Sequence, residues 1–236
     1  MNIILDGDIY AFRYAASNEE WMEVDGWLMP MFDLRLMRQQ WQQFVEEQLP
    51  PFKKLVIAFS DSVNFRKSVC PLYKHKRGVK PVMYRPFVGW IKENHHTIVA
   101  PTLEADDVMG ILGSGEGYTM ISEDKDLKTI AGRHYDLNEQ IEFVIDPFTA
   151  DYFWMTQTLT GDAVDGYKGL PGTGPAGAEK ILKGASTLPE MWTRVVEAYT
   201  AKGLTKDDAL QQARLARILR DGDYDWNTNK VTLWKP

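Results

Sequence analysis

Four short runs of apolar, largely β-branched residues alternate with segments of helical periodicity, and this alternation constrains the fold more than any other feature of the chain. The runs cover residues 2–5, 55–59, 97–100 and 118–122. Such runs are typical of strands buried on both faces of a parallel sheet. Helical spacing is clearest over residues 34–49. The order predicts an α/β fold in which a central, mostly parallel sheet lies between helices.

After Asp146-Pro147 the chain changes character, because the β-branched runs stop and glycines and prolines separate helix-like segments. We predict helices over residues 149–159, 176–182, 188–201 and 206–219, and a last strand over 231–234. The chain therefore divides into a core of residues 1–146 and a second, helical region of residues 147–236. The core includes a basic segment of about residues 62–94.

Acidic residues follow each of the four predicted strands. They are Asp6 and Asp8, then Asp61, then Glu104, Asp106 and Asp107, then Asp124 and Asp126, while the helical region adds Asp162 and Asp165. In an open parallel sheet these positions meet at one edge, where ligands bind. Each acid alone would be read as a helix cap or a solvated loop residue. Together they would repel unless cations intervene, which predicts two Mg²⁺ ions, replaceable by Mn²⁺, that clamp a phosphodiester.

A basic segment joins the second and third predicted strands. Residues 62–92 contain no acidic residue. Their cations are Arg66, Lys67, Lys74, Lys76, Arg77, Lys80, Arg85 and Lys92, and their aromatic residues include Phe65, Tyr73, Tyr84, Phe87 and Trp90. Cations interleaved with aromatic rings are typical of segments that track a nucleic-acid backbone, although a charge run can also be a solvated face.

A glycine-rich stretch with Gly169, Gly172, Gly174 and Gly177 contains a G-x-G-x-x-G string. A dinucleotide site would need a strand before it, whereas the residues that precede it have a helical pattern. We predict a hairpin between two helices, at which backbone N–H groups approach a DNA phosphate. A plain tight connection is the alternative.

The overall charge does not exclude a nucleic-acid partner. Nine of the acidic residues are predicted metal ligands, and setting them aside from the formal net charge of −6 leaves +3 for the rest of the chain. No apolar run reaches the length of a membrane span, and no signal-like segment precedes the first strand. We expect a cytoplasmic protein without a membrane partner.

Six motifs in order resemble the flap endonuclease and 5′→3′ exonuclease family. They are Leu5-Asp6-Gly7, Asp61 with Phe65-Arg66, Tyr73-Lys74 with Arg77, Glu104-Ala105-Asp106-Asp107, Asp124 with Asp126, and Gly161-Asp162 with Asp165 before the glycine-rich hairpin. The resemblance spans residues 5 to about 182. Further motifs are similar to the branch of T-odd podoviral phages, whose members act in DNA replication. They are residues 58–64, Asp165-Gly166-Tyr167, residues 216–220 and residues 233–236.

The resemblance implies roles for the individual residues. Asp6, Asp61, Glu104, Asp106 and Asp107 would surround one metal ion, and Asp124, Asp126, Asp162 and Asp165 the other. Lys74 and Arg77 would contact the scissile phosphate as catalytic residues. Arg66, Lys67, Tyr73, Lys76, Lys80, Arg85 and the four glycines would bind DNA, and a monovalent cation would lie at the helix-hairpin-helix.

The family further implies hydrolysis from a 5′ end of duplex DNA and removal of RNA primers from RNA–DNA hybrids. A short segment between Tyr73 and Glu104 favours attack at a duplex end or nick over threading of a flap. The alternatives are a structure-specific flap endonuclease, a non-catalytic DNA-structure binder, a phosphatase that uses Asp6 as nucleophile, and a ribonuclease with the same acidic core.

Overall fold

The structure, a computed structural model, describes residues 1–75 and 78–236. Its strands are β1 (Asn2–Asp6), β2 (Glu19–Val24), β3 (Trp27–Phe32), β4 (Lys54–Ala58), β5 (Thr97–Ile98), β6 (Thr119–Ile121), β7 (Gly132–Asp136), β8 (Ile141–Ile145), β9 (Tyr224–Asp225) and β10 (Lys230–Val231). Its α-helices are α1 (Gly7–Ser17), α2 (Leu34–Gln43), α3 (Arg66–Val69), α4 (Tyr84–Asn94), α5 (Ala105–Gly115), α6 (Pro147–Thr160), α7 (Pro175–Leu182), α8 (Leu188–Ala201) and α9 (Lys206–Ala216).

The central sheet has the strand order β5-β4-β1-β6-β7-β8. All neighbouring strands are parallel except the edge pair β7 and β8, which is antiparallel. The four strands predicted from apolar runs are adjacent in this sheet, so the predicted α/β fold is confirmed. We did not predict β7 and β8, because polar residues such as Arg133 and Glu142 interrupt their apolar pattern.

Side-chain caps start several helices at the carboxyl edge of the sheet. Asp6 accepts a hydrogen bond from the Ile9 N–H at the start of α1, and Glu104 and Asp107 form a capping box at the start of α5. Gly7 is required at this edge, since a Cβ there would lie 2.6 Å from the Ala58 carbonyl oxygen. The acidic residues that the sequence places after strands therefore also begin the helices.

The helical predictions differ from the structure mainly at helix ends. The predicted helix over 34–49 is α2 followed by a π-helical turn, Phe44–Gln48. The predicted helix over 206–219 ends at Ala216. The chain then continues extended, and Ile218 and Leu219 pack into the sheet core. The predicted last strand is shorter than expected, since β10 pairs with β9 over two residues.

A projecting hairpin, β2 and β3, was not predicted. Its strands pair in antiparallel register from Glu19 opposite Phe32 to Val24 opposite Trp27. Trp27 and Leu28 near its turn are 77% and 69% exposed. Two-stranded hairpins have little stability of their own, and Glu19 connects this one to the body by accepting a hydrogen bond from the Val82 N–H at 2.6 Å.

Three hydrophobic clusters form the interior. One lies between the sheet and α1, α2 and α4, the second between the sheet and α5, and the third among α6 to α9. The second cluster includes Ile218, Leu219 and Tyr224, so the C-terminal tail packs on the sheet. The division at residue 146 stays a prediction. None of the described helices combines the length and apolar character needed to cross a membrane.

Candidate active site

The acidic residues that follow β1 and β6 meet those of α5 in one cleft. Asp6 ends β1, Asp124 follows β6, and Asp106 lies in the first turn of α5. A cleft of about 590 Å³ is lined by these residues together with Asp8, Ile9, Phe12, Arg13, Ser60, Gly78, Val79, Lys80, Glu104 and Ala105. We refer to it below as the acidic cleft.

Burial and mutual repulsion disfavour negative charge in the acidic cleft. Burial raises the pKa of Asp6 to about 7, although hydrogen bonds from Ile9 and Ser122 act in the opposite direction. Burial, together with the charges of Asp6 and Asp124, raises the pKa of Asp106 well above its ordinary value. These carboxylates would become fully ionised if a cation lay between them. Their oxygen-only chemistry suits a hard divalent cation.

A second acidic group lies where the core meets the helical region. Asp126 accepts a hydrogen bond from Gln157 Nε2 at 2.6 Å, and burial followed by the charge of Asp124 raises its pKa to about 6. Asp162 caps the turn after α6 by accepting from the Val164 N–H. Burial raises the pKa of Asp165 in the same turn.

Glu104 lies between these two groups and is paired with cations. Its Oε1 is 2.6 Å from Lys74 Nζ, and its Oε2 is 3.2 Å from Arg66 Nη1. Burial alone would raise its pKa, but Lys74 and Arg66 outweigh burial and hold the pKa at about 2. Lys74 Nζ also lies 3.3 Å from Asp165 Oδ2. The Tyr73 hydroxyl oxygen lies 3.0 Å from Glu104 Oε2 and 3.0 Å from Asp165 Oδ2, so its one hydrogen is shared between these two acceptors.

The predicted roles of three residues need correction, because their side chains lie in the interior. Arg66 is 2% exposed and cannot contact DNA from that position. Asp107 is 0% exposed, and both of its oxygens accept from Arg66 at 2.8 and 2.7 Å. Its carboxylate is thus occupied by the arginine and by the Leu219 N–H, which does not support a direct metal contact. Tyr73, predicted to bind DNA, is likewise buried, at 3% exposed.

Asp61 is placed apart from the acidic cleft. One of its oxygens accepts from the Thr102 N–H at 2.8 Å and the other from the Ser62 N–H at 2.7 Å. These backbone hydrogen bonds, the Thr102 bond first, lower its pKa. The structure gives Asp61 a role in fixing its loop, and metal binding by Asp61 stays a prediction.

The acidic cleft adjoins a basic groove. This second cleft, of about 570 Å³, shares Asp8, Ser60, Lys80 and Glu104 with the acidic cleft. It is also lined by Lys67, Lys74, Arg85 and Lys92. Four cations predicted to act on DNA, namely Lys67, Lys74, Lys80 and Arg85, are therefore brought together. Lys76 and Arg77 lie outside the described residues.

Sequence reasoning missed the neutral side chains that organise the acidic cleft. Ser122 donates from Oγ to Asp6 Oδ2 at 2.8 Å, and Tyr84 donates to Asp8 Oδ1 at 2.6 Å. Asp8 also accepts from the Ser60 N–H. The position of Ser122 directly after a predicted strand was an available signal, whereas the Tyr84 contact spans 76 residues and leaves no local pattern.

The glycine-rich stretch connects α6 to α7, as predicted. Gly169 and Gly172 have positive φ angles, of 62° and 69°, and Gly169 packs so closely that a Cβ would lie 2.3 Å from the Gly161 nitrogen. Gly174 is the N-cap of α7 and provides no side-chain cap. The exposed start of α7 is thus formed by backbone alone. DNA binding here, including by Gly177, and the monovalent cation stay predictions.

The carboxylate side chains of the acidic cleft and of the second acidic group are chemically suited to bind divalent cations. The donor set consists of carboxylate oxygens, several of them with raised pKa values, which hard cations would relieve. Over residues 1–75 and 78–236, no group of three or more acidic, histidine or cysteine side chains converges closely enough to hold a metal ion in the arrangement described. The ammonium of Lys74 lies between two of the predicted ligands instead.

Relatives identify the class of protein. No protein-family model matches the chain. The chain is 30% identical over 226 residues to the exonuclease of Escherichia phage T7, covering 77% of this chain and 74% of that protein. It is 31% identical over 227 residues to the exodeoxyribonuclease of Enterobacteria phage T3, covering 77% and 73%. The chain therefore belongs to the flap endonuclease and 5′→3′ exonuclease family.

Solved structures agree in fold. A variant of the phage T5 5′-exonuclease has a TM-score of 0.60 at 15% identity, covering 91% of this chain and 86% of that protein. A phage T5 flap endonuclease, in a pseudo-enzyme-product complex with DNA and metal ions, has a TM-score of 0.59 at 15% identity, covering 91% and 88%. The predicted family, enzyme class and nuclease-core fold are confirmed.

Proposed function

We propose that this protein hydrolyses phosphodiester bonds of duplex DNA from the 5′ end, with two Mg²⁺ ions that Mn²⁺ can replace. The observation that carries the proposal is the junction of the acidic cleft with the basic groove through Asp8, Ser60, Lys80 and Glu104. A phosphate backbone held in the groove would present its next phosphodiester to the acidic cleft. A phage T5 relative whose structure holds DNA and metal ions supports the same partners.

The predicted site residues fall into two groups, those that would bind the cations and those that would bind the DNA phosphates. Asp6 and Asp106 would hold one cation, and Asp126, Asp162 and Asp165 the other, with Glu104 between them. Asp124, which the resemblance assigned to the second cation, lines the acidic cleft with Asp6 and Asp106 and would hold the first cation instead. When bound, such a pair stabilises charge on the scissile phosphate and activates water. Lys80, Lys67 and Arg85 would hold the backbone, while Lys74 lines the basic groove and pairs with Glu104, which both clefts share. Ser122 fixes the orientation of Asp6 through its hydrogen bond.

Exonucleolysis at a duplex end or nick is favoured over flap cleavage. Of the residues between Tyr73 and Glu104 that the structure describes, 84–94 form α4, whose Tyr84, Phe87 and Ile91 pack into the core beside α1. This helix is thus packed on the core, and residues 78–80 before it line the acidic cleft. Removal of RNA from RNA–DNA hybrids and a place in phage DNA replication are further parts of the proposal.

The experiment is digestion of a duplex labelled at either its 5′ or its 3′ end, with Mg²⁺ and with EDTA, with products resolved over time. We expect Mg²⁺-dependent release of mononucleotides or short oligonucleotides from the 5′ label. A 5′-flap duplex and an RNA–DNA hybrid serve as parallel substrates. Faster cleavage at the flap junction would favour the flap endonuclease, and duplex binding without cleavage would favour the non-catalytic binder.

A further inference from the structure

Lys74 lies between carboxylates that come from two different parts of the fold. Glu104, 2.6 Å from its Nζ, precedes α5, whereas Asp165, 3.3 Å away, belongs to the turn after α6. Its side chain is 10% exposed, so water and salt screen these interactions weakly. The ammonium therefore neutralises charge at a position between the acidic cleft and the second acidic group.

The backbone also fixes this position. Lys74 has a φ of 53°, and its N–H donates to the Asp165 carbonyl oxygen at 2.8 Å. Gly166 allows this approach, since a Cβ there would lie 3.1 Å from the Leu72 carbonyl oxygen. The hydroxyl of Tyr73, which precedes Lys74 in the chain, lies within hydrogen-bond distance of the same two carboxylates, Glu104 and Asp165. The backbone around Lys74 is thus held against the turn that contains Asp165 and Gly166, independently of the direction of the Lys74 side chain.

We propose that Lys74 is a displaceable counterion of the acidic site, whose ammonium holds Glu104 and Asp165 until divalent cations take its place. This inference rests on the proposed metal-dependent function. It adds that the Lys74 ammonium and the divalent cations compete for the same carboxylates. The lysine lowers the affinity of the DNA-free protein for divalent cations. A DNA phosphate in the basic groove that attracts the ammonium raises that affinity, so DNA and cations strengthen each other's binding.

The first test measures Mn²⁺ binding to the DNA-free protein by electron paramagnetic resonance. Lys74→Met removes the charge and keeps most of the side-chain volume, and we expect it to bind Mn²⁺ on the order of ten-fold more tightly, because a nearby poorly screened cation is gone. Lys74→Arg keeps the charge and should stay near wild type. Lys125→Met is the matched control: Lys125 Nζ lies 3.8 Å from Asp162 Oδ2, but its side chain is 77% exposed.

The control variant Lys125→Met should change Mn²⁺ affinity by less than about two-fold, because solvent screens the exposed pair of Lys125 and Asp162. Unchanged or weaker Mn²⁺ binding by a folded Lys74→Met protein, checked by circular dichroism, would overturn the proposal. Absence of Mn²⁺ binding by the wild type would instead overturn the proposed function as well, so the two failures are distinguishable.

The second test uses the wild-type protein and does not depend on a variant that folds. Lysines are acetylated briefly with an N-hydroxysuccinimide ester, with and without Mg²⁺ and without DNA, and the peptides are quantified by mass spectrometry. We expect labelling of Lys74 to rise several-fold with Mg²⁺, while exposed Lys125 is labelled in both conditions. Equal labelling of Lys74 at Mg²⁺ concentrations that support nuclease activity would contradict displacement.

Discussion

Arg66 and Asp107 form a two-pronged ion pair in the interior, with Nη1–Oδ2 and Nη2–Oδ1 distances of 2.8 and 2.7 Å. Arg66 also donates to the carbonyl oxygens of Leu215 and Arg217, and Asp107 accepts from the Leu219 N–H. The pair therefore joins α3, the start of α5 and the chain that follows α9. It also places Arg66 Nη1 beside Glu104.

Removal of one partner of this pair should destabilise the protein strongly. Asp107→Asn or Arg66→Met leaves a buried charge without its partner, which typically costs about 3–5 kcal/mol. The double variant Arg66→Met/Asp107→Asn should cost less than the sum of these two single changes, because neither charge of the pair is left. Urea unfolding of all three variants measures this, and additive losses would show that the pair is not coupled.

Asp124→Asn should abolish cleavage and leave duplex binding nearly unchanged. Asp124 lines the acidic cleft, so its loss weakens cation binding, while the basic groove is unaltered. Nuclease turnover and duplex affinity by fluorescence anisotropy are the two measurements. Asp207→Asn, at an exposed position in the first turn of α9, is the control and should retain both. Turnover near wild type in Asp124→Asn would remove this residue from the site.

Lys80→Ala and Arg85→Ala should weaken duplex binding at every DNA sequence. Both residues are exposed and line the basic groove, where they would contact phosphates. Each change should lower the slope of log affinity against log salt by roughly one if it removes one phosphate contact. Lys230→Ala, on the separate β9–β10 hairpin, is the control. An unchanged salt slope in both groove variants would place the DNA elsewhere.

Two glycines of the hairpin between α6 and α7 should respond differently to alanine. Gly169→Ala should lower the free energy of unfolding by more than about 1 kcal/mol, because its φ is positive and backbone atoms fill the Cβ position. Gly174 has a φ of −95° and open space around its Cβ position, so Gly174→Ala should fold normally. We expect that variant to bind duplex DNA more weakly, since the methyl group obstructs the start of α7. Unchanged affinity would separate this turn from the DNA interface.

His95 should make stability depend on pH. Its Nε2 lies 3.1 Å from the indole Nε1 of Trp41, which donates to it, and burial lowers the pKa of His95 below its ordinary value of 6.5. The stabilisation is therefore present above about pH 6.5 and is lost as pH falls through the lower folded-state pKa. His95→Gln keeps an acceptor without that titration. Urea unfolding at pH 7.5 and 5 should show a smaller pH-dependent loss in the variant than in the wild type.

The sequence determined the parts of this protein that depend on local order. Apolar runs fixed the four adjacent parallel strands, and residues such as Asp6 and Asp124 follow strands whose ends must meet at one edge of the sheet. The glycine-rich connection between α6 and α7 was also readable, because backbone conformation limits the residues that a turn accepts. The family followed from the order of these motifs.

Only the tertiary structure decided which charged residues face each other. Arg66 and Lys74 belong to one basic segment, yet Arg66 is buried against Asp107, whereas Lys74 lines the basic groove and pairs with Glu104. Asp61 and Asp107 resemble the other aspartates in sequence, but their oxygens are taken by backbone N–H groups and an arginine. The Lys74–Glu104 contact spans 30 residues of the chain, and the hydrogen bond from the Leu219 N–H to Asp107 spans 112. The physical reason is that burial and pairing depend on packing between distant segments, which local periodicity does not record.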